Sequence, residues 1–345
     1  MSVLEVRDLE VYYETDGEPV RAVDGMSFTI EEGENLGIVG ESGCGKSTLA
    51  KAILGILPKN GFINDGEIRF DGEDLTAMSE KKRRSYMWDE ISMIPQSAMN
   101  ALDPVYTVRE QIVESIEEHR RGVEKARANE TVDELFELVG LDPTRADDYP
   151  HQFSGGMRQR AMIAMSLSLD PALILADEPT TALDVIMQDQ ILKRIGAIQD
   201  EINSSMMVIT HDVSVVAETC DRVLVMYAGK LAEIGPVEEI FDTPYHPYTV
   251  GLKRAFPNIQ QPDQNLISMP GYPPDLAPPP TGCRFAARCP LATETCFEEQ
   301  PPEVRNGGLR SRCHHTDRID SELRPYAGEI QVWERTEAGR EVTGT

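Results

Sequence analysis

Apolar and polar residues alternate over Leu4-Glu5-Val6-Arg7 and again over Phe28-Thr29-Ile30, with Asp16-Gly17 as a turn signal between them, which predicts antiparallel strands in the opening stretch. From Gly33 the pattern changes. Leu36-Gly37-Ile38-Val39 is a continuous apolar run of buried-strand type and residues 48–54 carry helical spacing, so strand, loop and helix follow one another as in an α/β domain. A short strand is predicted at Glu67-Ile68-Arg69-Phe70, closed by the turn Asp71-Gly72. Between about 106 and 170 the chain is polar with helical periodicity, and Val132, Leu135, Phe136, Leu138 and Val139 fall on one face. This predicts a helical subdomain inserted between strands, at about 97–170. Three further apolar runs, 173–176, 206–209 and 223–226, are of buried parallel-strand type.

Composition shifts near 257. Residues 257–302 hold 11 of the 23 prolines, which disfavours helix and central strand there. The chain thus divides into an α/β domain over 1–255, a proline-rich linker over 256–282 and a small C-terminal module over 283–345. Beyond about 318 the charged tail is expected to hold a strand or two at most.

The charge narrows the function. Asp and Glu number 59 against 33 Lys and Arg, a formal net charge of −26, so the surface repels nucleic acid and anionic lipid, and no nucleic-acid partner is expected. No segment approaches 18 consecutive apolar residues and no basic start precedes an apolar stretch, which predicts a cytosolic chain whose membrane role needs a partner. Of six cysteines, Cys283, Cys289, Cys296 and Cys313 lie within 31 residues, which in a cytosolic chain suggests metal before disulfide.

Gly40-Glu41-Ser42-Gly43-Cys44-Gly45-Lys46-Ser47 matches G-x-x-x-x-G-K-[ST], and Thr48 opens the helix that follows. In such a loop backbone N–H groups wrap phosphates, Lys46 reaches the β/γ oxygens and Ser47 holds Mg²⁺. The second half of a nucleotide site is the strand that ends in Asp177 and Glu178. Asp177 would complete the Mg²⁺ shell, and Glu178, aimed differently by one residue, would polarise the attacking water. Ser154, Gly155 and Gly156 precede an Ala- and Met-rich helix, a second phosphate-binding surface. Two half-sites for one ligand ask for a head-to-tail dimer. Cys44 sits at a helix N-terminus, where a thiol is either reactive or an inert small side chain.

With these motifs in this order, residues 1–255 resemble the ATP-binding cassette (ABC) ATPases. The resemblance implies a P-loop NTPase fold: a RecA-like core with an antiparallel β subdomain and an inserted helical subdomain, here with the Pro/Cys-rich module added. It makes Gly40–Ser47 the Walker A loop, Asp177 and Glu178 the Walker B pair and Ser154-Gly155-Gly156 the signature motif that closes on the opposite subunit's γ-phosphate. Gln96 matches the Q-loop glutamine that contacts Mg²⁺ and senses the membrane partner. Asp184 matches the D-loop, His211 the switch histidine, and Tyr13 the ring stacked on adenine, although a one-residue slip would exchange it with Tyr12.

Residues 95–104 and His246-Pro247-Tyr248-Thr249 are similar to segments of the dipeptide, oligopeptide and nickel importers within that family. Some of these ATPases carry a [4Fe-4S] cluster on a region like 283–313. The thiol spacing lacks the two close Cys pairs typical of structural zinc, so iron–sulfur is the first reading, with zinc or unligated thiols as alternatives. The implied partners are two integral membrane permease subunits, a second, related ABC ATPase and, indirectly, an extracytoplasmic solute-binding protein, at the cytoplasmic face of the membrane. Peptide is the first substrate reading. Nickel or sugar transport, a soluble ABC ATPase and an iron–sulfur redox-regulated ATPase are the alternatives.

The basic residues are 24 Arg and only 9 Lys, a Lys-poor, acid-rich balance suited to a salt-adapted cytoplasm. High salt screens repulsion among the carboxylates, so the melting temperature is expected to rise between dilute buffer and multimolar KCl. A scan showing no rise removes the halophilic reading.

Overall fold

The computed structural model describes residues 1–96, 101–120, 122–179, 187–188, 191–193, 195–196, 199, 203–255 and 269–334. These form two compact units, each made of more than one stretch of chain: Met1–Glu5, Thr29–Asn35 and Arg69–Ile209 in the first, Val6–Phe28, Leu36–Ile68 and Thr210–Thr345 in the second.

The first unit is built on three parallel strands. Ile91–Ile94 pairs with Leu173–Asp177, which pairs with Ser205–Ile209 in a register that sets Asp177 opposite Ile209. Every residue of the last two strands is buried, as their unbroken apolar runs require. The helices Val108–His119 and Lys125–Leu138 follow the expected periodicity, whereas Gly155–Ser166 is buried on more than one face. Val132, Leu135, Phe136 and Val139 are buried, with Phe136 edge-to-face on Phe153 at 6.5 Å between ring centroids. Thr107 and Glu110 form a capping box, and Arg109 forks to Asp133 and Asp147, each at 2.8 Å, fixing two elements of the subdomain.

In the second unit, residues Leu36–Val39 of the strand Asn35–Val39 run parallel to Arg222–Tyr227, which turns back antiparallel as Lys230–Pro236. That strand in turn pairs with Leu309–Arg312, and Leu309–Arg312 with Glu303–Asn306. Residues 303–312 therefore extend a ladder of this unit by a hairpin. Arg284 pairs with Asp24 and donates to the Ala228 carbonyl, and Arg310 donates to the Ser27 carbonyl.

The tail departs from expectation. Beyond 318 the described residues form helical turns, Ile319–Leu323, Arg324–Tyr326 and Ile330–Trp333, and no strand. Ile319, Leu323 and Ala327 repeat every fourth residue and are fully buried with Trp333. Gly251, on the helix Pro247–Ala255, admits this layer: a Cβ there would sit 2.2 Å from Met269 Sδ and 2.8 Å from the Trp333 ring. Apolar packing of helical turns thus takes the place of the expected strands.

Glu233 lies within this core, fully buried, and its Oε1 accepts the Tyr245 N–H at 2.6 Å. Burial lifts its carboxyl to about 7. Because the folded pKa lies above the unfolded one, stability is full at low pH and falls as pH rises from the ordinary carboxyl range through about 7. Glu233→Gln is therefore expected to exceed the wild type by something on the order of 3 kcal/mol above neutrality, an advantage fading toward mildly acidic pH. Urea unfolding across a pH series checks this.

Candidate active site

The phosphate loop is shaped from below. Gly45 has φ +108° and a Cβ on it would lie 2.1 Å from the Ala22 carbonyl oxygen, while a Cβ on Gly40 would lie 2.1 Å from the Met226 carbonyl oxygen. Only glycine lets the loop approach its supports so closely. The Gly229 N–H donates to the Cys44 carbonyl at 2.8 Å, tying the loop to the turn after Arg222–Tyr227. Ser42 and Gly43 are exposed on the upper surface.

The helix Lys46–Leu54 starts at Gly45 with no side-chain cap, whereas Thr107 and Ser154 cap their own helices. Its first-turn amides and the positive end of its dipole are therefore left for an anion, which is the fit a nucleotide phosphate requires. Lys46 is buried and its Nζ donates to the carbonyls of Gly40 at 2.7 Å and Glu41 at 3.0 Å. Ser47 and Thr48 follow in the first turn, and the Thr48 hydroxyl bonds the Tyr13 hydroxyl at 3.0 Å.

That bond distinguishes the two tyrosines. Tyr12 faces inward, its hydroxyl donating to Glu10 at 2.9 Å, while Tyr13 packs against Gly61 beside the helix that carries Thr48. Cys44 is buried, and burial raises its thiol above the ordinary range despite Lys46. A raised thiol fits the inert small side chain and not the reactive one.

His211 follows the buried Thr210, whose N–H donates to the Ile38 carbonyl at 3.2 Å, and Asp212 caps the next helix through the Ser214 N–H. His211 is exposed and lines a cavity of about 350 Å³ together with Gly40, Glu41, Ser42 and Arg288.

In the first unit, Asp177 is buried at the strand end and Glu178 follows with φ +50°, its N–H on the Ile209 carbonyl at 2.8 Å. The left-handed turn sends the two carboxylates in different directions. Gln96 donates through Nε2 to Glu178 Oε2 at 2.9 Å. Ser154 caps Gly155–Ser166 by accepting the Met157 N–H at 3.3 Å, and within that helix Gln159 donates to the Pro179 carbonyl at 2.6 Å. The segment of Gly155 and Gly156 is thereby linked to the residues just after Glu178. Asp184 lies outside the described residues.

The four clustered cysteines are all free thiols. The Cys283 N–H donates to the Cys296 carbonyl at 2.7 Å, and His315 reaches Cys296 Sγ with its Nε2 at 3.4 Å and Cys313 Sγ with its N–H at 3.3 Å. Burial, and then the neighbouring thiols of Cys313, Cys283 and Cys296, hold the Cys289 thiol well above its ordinary range. Burial likewise pushes Cys283 to about 11 and Cys313 to about 12. The donors suit a soft metal in number and type. Among the described residues, however, no three His, Cys, Asp or Glu side chains close into a metal-holding group, so the thiols are neighbours and not a formed ligand set.

Sequence reasoning missed three contacts here. Tyr248 accepts the Glu41 N–H at 2.9 Å, Arg288 binds the Glu41 carboxylate at 2.9 Å, and Gln159 holds Pro179. Tyr248 stood in a segment singled out only by resemblance. Arg288, between two cysteines, carried no periodic signal.

Comparison with known proteins agrees with this geometry. Residues 23–181 match the family model described as ABC transporter, and residues 232–296 match that of the oligopeptide/dipeptide transporter C-terminal region. The dipeptide transport ATP-binding protein DppD of Lactococcus lactis subsp. cremoris is 47% identical over 87% of this chain and 86% of its own length. DppD of Escherichia coli is 43% identical over 94% and 99%, and the oligopeptide transport ATP-binding protein OppD of Bacillus subtilis 46% over 87% and 85%. Among solved structures, a dimeric ATP-binding cassette in a post-hydrolysis state with ADP and Pi is similar at a TM-score of 0.63 and 26% identity, over 68% of this chain and 98% of that one. The chain therefore belongs to the ABC transporter ATP-binding proteins, in the dipeptide/oligopeptide transporter family.

Proposed function

We propose that this chain energises peptide uptake as the ATP-hydrolysing subunit of an importer, with the hydrolytic step gated by the contact between Gln96 and Glu178. The chain is an ATPase of the ABC class. The peptide reading is supported by relatives named for dipeptide and oligopeptide transport, and by the presence in one chain of both matching regions. No helix among the described residues is long and apolar enough to cross a membrane. The chain is accordingly read as peripheral, at the cytoplasmic face, bound to two permease subunits and served by an extracytoplasmic solute-binding protein. Its domains are read as 1–255, 256–282 and 283–345.

The observation that carries the mechanism is the 2.9 Å bond from Gln96 to Glu178. It occupies a carboxylate oxygen that a general base needs for its water, so the residue that senses the membrane subunits also masks the base. Lys46 leaves the Gly40 and Glu41 carbonyls for the β/γ oxygens of ATP, and the amides of the loop and of the Lys46–Leu54 helix take the remaining phosphate charge. Ser47, Gln96 and Asp177, all hard oxygen donors, would hold Mg²⁺, which would neutralise part of that charge. Tyr13 supports adenine and His211 faces the γ-phosphate. Ser154, Gly155 and Gly156 complete the site of a second, related ATPase, with Asp184 at the same dimer contact. Glu178, once Gln96 turns away, polarises the water that attacks in line.

Glu178→Gln is expected to lower turnover about a hundredfold or more while ATP still binds. A tagged Glu178→Gln chain, solubilised from its host membranes with ATP at native salt, is expected to bring down two membrane subunits, a second ATPase and the solute-binding protein. Recovery of soluble partners alone overturns the importer reading.

The four neighbouring thiols support a [4Fe-4S] cluster on Cys283, Cys289, Cys296 and Cys313, which would hold its ligands as thiolates against the burial that raises Cys283, Cys289 and Cys313. Anaerobically purified chain is expected to contain iron and acid-labile sulfide, and Cys289→Ser to lose both. Zinc in place of iron, or no metal at all, rejects the cluster.

A further inference from the structure

The phosphate loop contains a carboxylate that a polyanion should not tolerate. Glu41 sits one residue into a loop that lacks acidic residues elsewhere over 40–48, and next to a bound triphosphate its charge would oppose binding. The structure shows what holds it. Arg288 Nη1 donates to Glu41 Oε1 at 3.0 Å and to Oε2 at 2.9 Å. The same guanidinium donates to the carbonyls of Pro270 at 2.9 Å and Met269 at 3.2 Å and to the Tyr227 hydroxyl at 3.2 Å, and stands over the Tyr227 ring at 5.7 Å. Arg288 is 4% exposed, so its charge is desolvated and directed wholly at these partners.

Glu41 is held from other sides as well. Its N–H is on the Tyr248 hydroxyl and its carbonyl accepts the Lys46 ammonium at 3.0 Å. Arg288, Glu41 and Lys46 therefore form one connected chain from the residue preceding Cys289 to the amine of the phosphate loop. A buried ion pair adds little net stability compared with apolar packing, so a fully buried arginine at this point needs another reason.

We infer that Arg288 is a positioning residue of the nucleotide site: it fixes and neutralises Glu41 so that the loop can accept a polyphosphate, which makes the cysteine-bearing region a working part of the site. This rests on the ATPase reading given above and deepens it. In a chain of net charge −26 the local cancellation matters, because the distant field already opposes an anion.

The test is equilibrium binding of a fluorescent ATP analogue with Mg²⁺ to the purified full chain, with thermal melting as the control for folding. Arg288→Ala is expected to weaken binding about tenfold or more, with the loss shrinking at high salt. Arg288→Ala combined with Glu41→Gln is expected to recover to within about threefold of wild type, since the charge to be masked is gone. A purely structural role for Arg288 predicts no such rescue. Glu41→Gln alone is expected to bind at least as tightly as wild type. Arg318→Ala, which breaks the pair with Glu322 away from the loop, is expected to leave nucleotide binding unchanged.

Wild-type affinity in folded Arg288→Ala, or failure of the double variant to recover, overturns the inference. Should Arg288→Ala not fold, Glu41→Gln carries the decision, and a tenfold loss there is equally fatal to it. Failure of the wild-type chain to bind the analogue at all would instead bring down the ATPase reading, which keeps the two distinguishable.

Discussion

A backbone that must receive a polyanion has to be bare above and supported below, and that double demand organises the second unit. Above, Ser42 and Gly43 are exposed and the helix at Lys46 is uncapped. Below, the carbonyl oxygens of Ala22 and Met226 come so close that no side-chain carbon fits at Gly45 or Gly40. The supports are themselves fixed: Asp24 donates its N–H to the Gly229 carbonyl at 2.9 Å, and the Gly229 N–H returns to Cys44. Residues some two hundred positions from the loop thus belong to its architecture. A change at Ala228 or Gly229 would act on phosphate binding without touching phosphate, by lowering the floor on which the loop stands.

Charge is handled the same way in both units, by short local pairings in place of a basic surface. The chain carries 26 more acidic than basic residues, yet the loop residues Gly40 and Glu41 are bonded by the cations Lys46 and Arg288. Both are buried, where electrostatic interactions are weakly screened and fixed donors need no reorganisation. Gln96 on Glu178 is the neutral counterpart in the first unit, an amide holding a carboxylate.

How much of this was legible in the sequence varied with the source of order. The strands 173–177 and 205–209 were plain because both faces are buried and the run is apolar throughout. The phosphate loop was plain because its chemistry permits few residues. The strand Lys230–Pro236 was not, since a buried Glu233 interrupts its pattern with a charge that the fold neutralises by raising its pKa. The hairpin of Glu303–Asn306 and Leu309–Arg312 is mostly polar, although its Asn306-Gly307-Gly308 turn was a usable signal. The tail was misjudged because Ile319, Leu323 and Ala327 make a helical face only one residue wide. Arg288 was invisible for a plainer reason: its partner lies 247 residues earlier, and no local rule reaches so far.

That separation has a consequence for how the chain is made. Asp24 pairs with Arg284 and Arg310 donates to the Ser27 carbonyl, so the second unit joins residues that are translated 260 and 283 positions apart. At roughly 5–20 residues per second, the opening strands wait on the order of ten to fifty seconds for these partners. The phosphate loop meanwhile waits in turn for Gly229, Tyr248 and last Arg288 to be translated. The support of the nucleotide pocket is therefore completed only once Arg288 has been translated, and a copy that stops short of it is denied a fully supported loop with which to consume ATP.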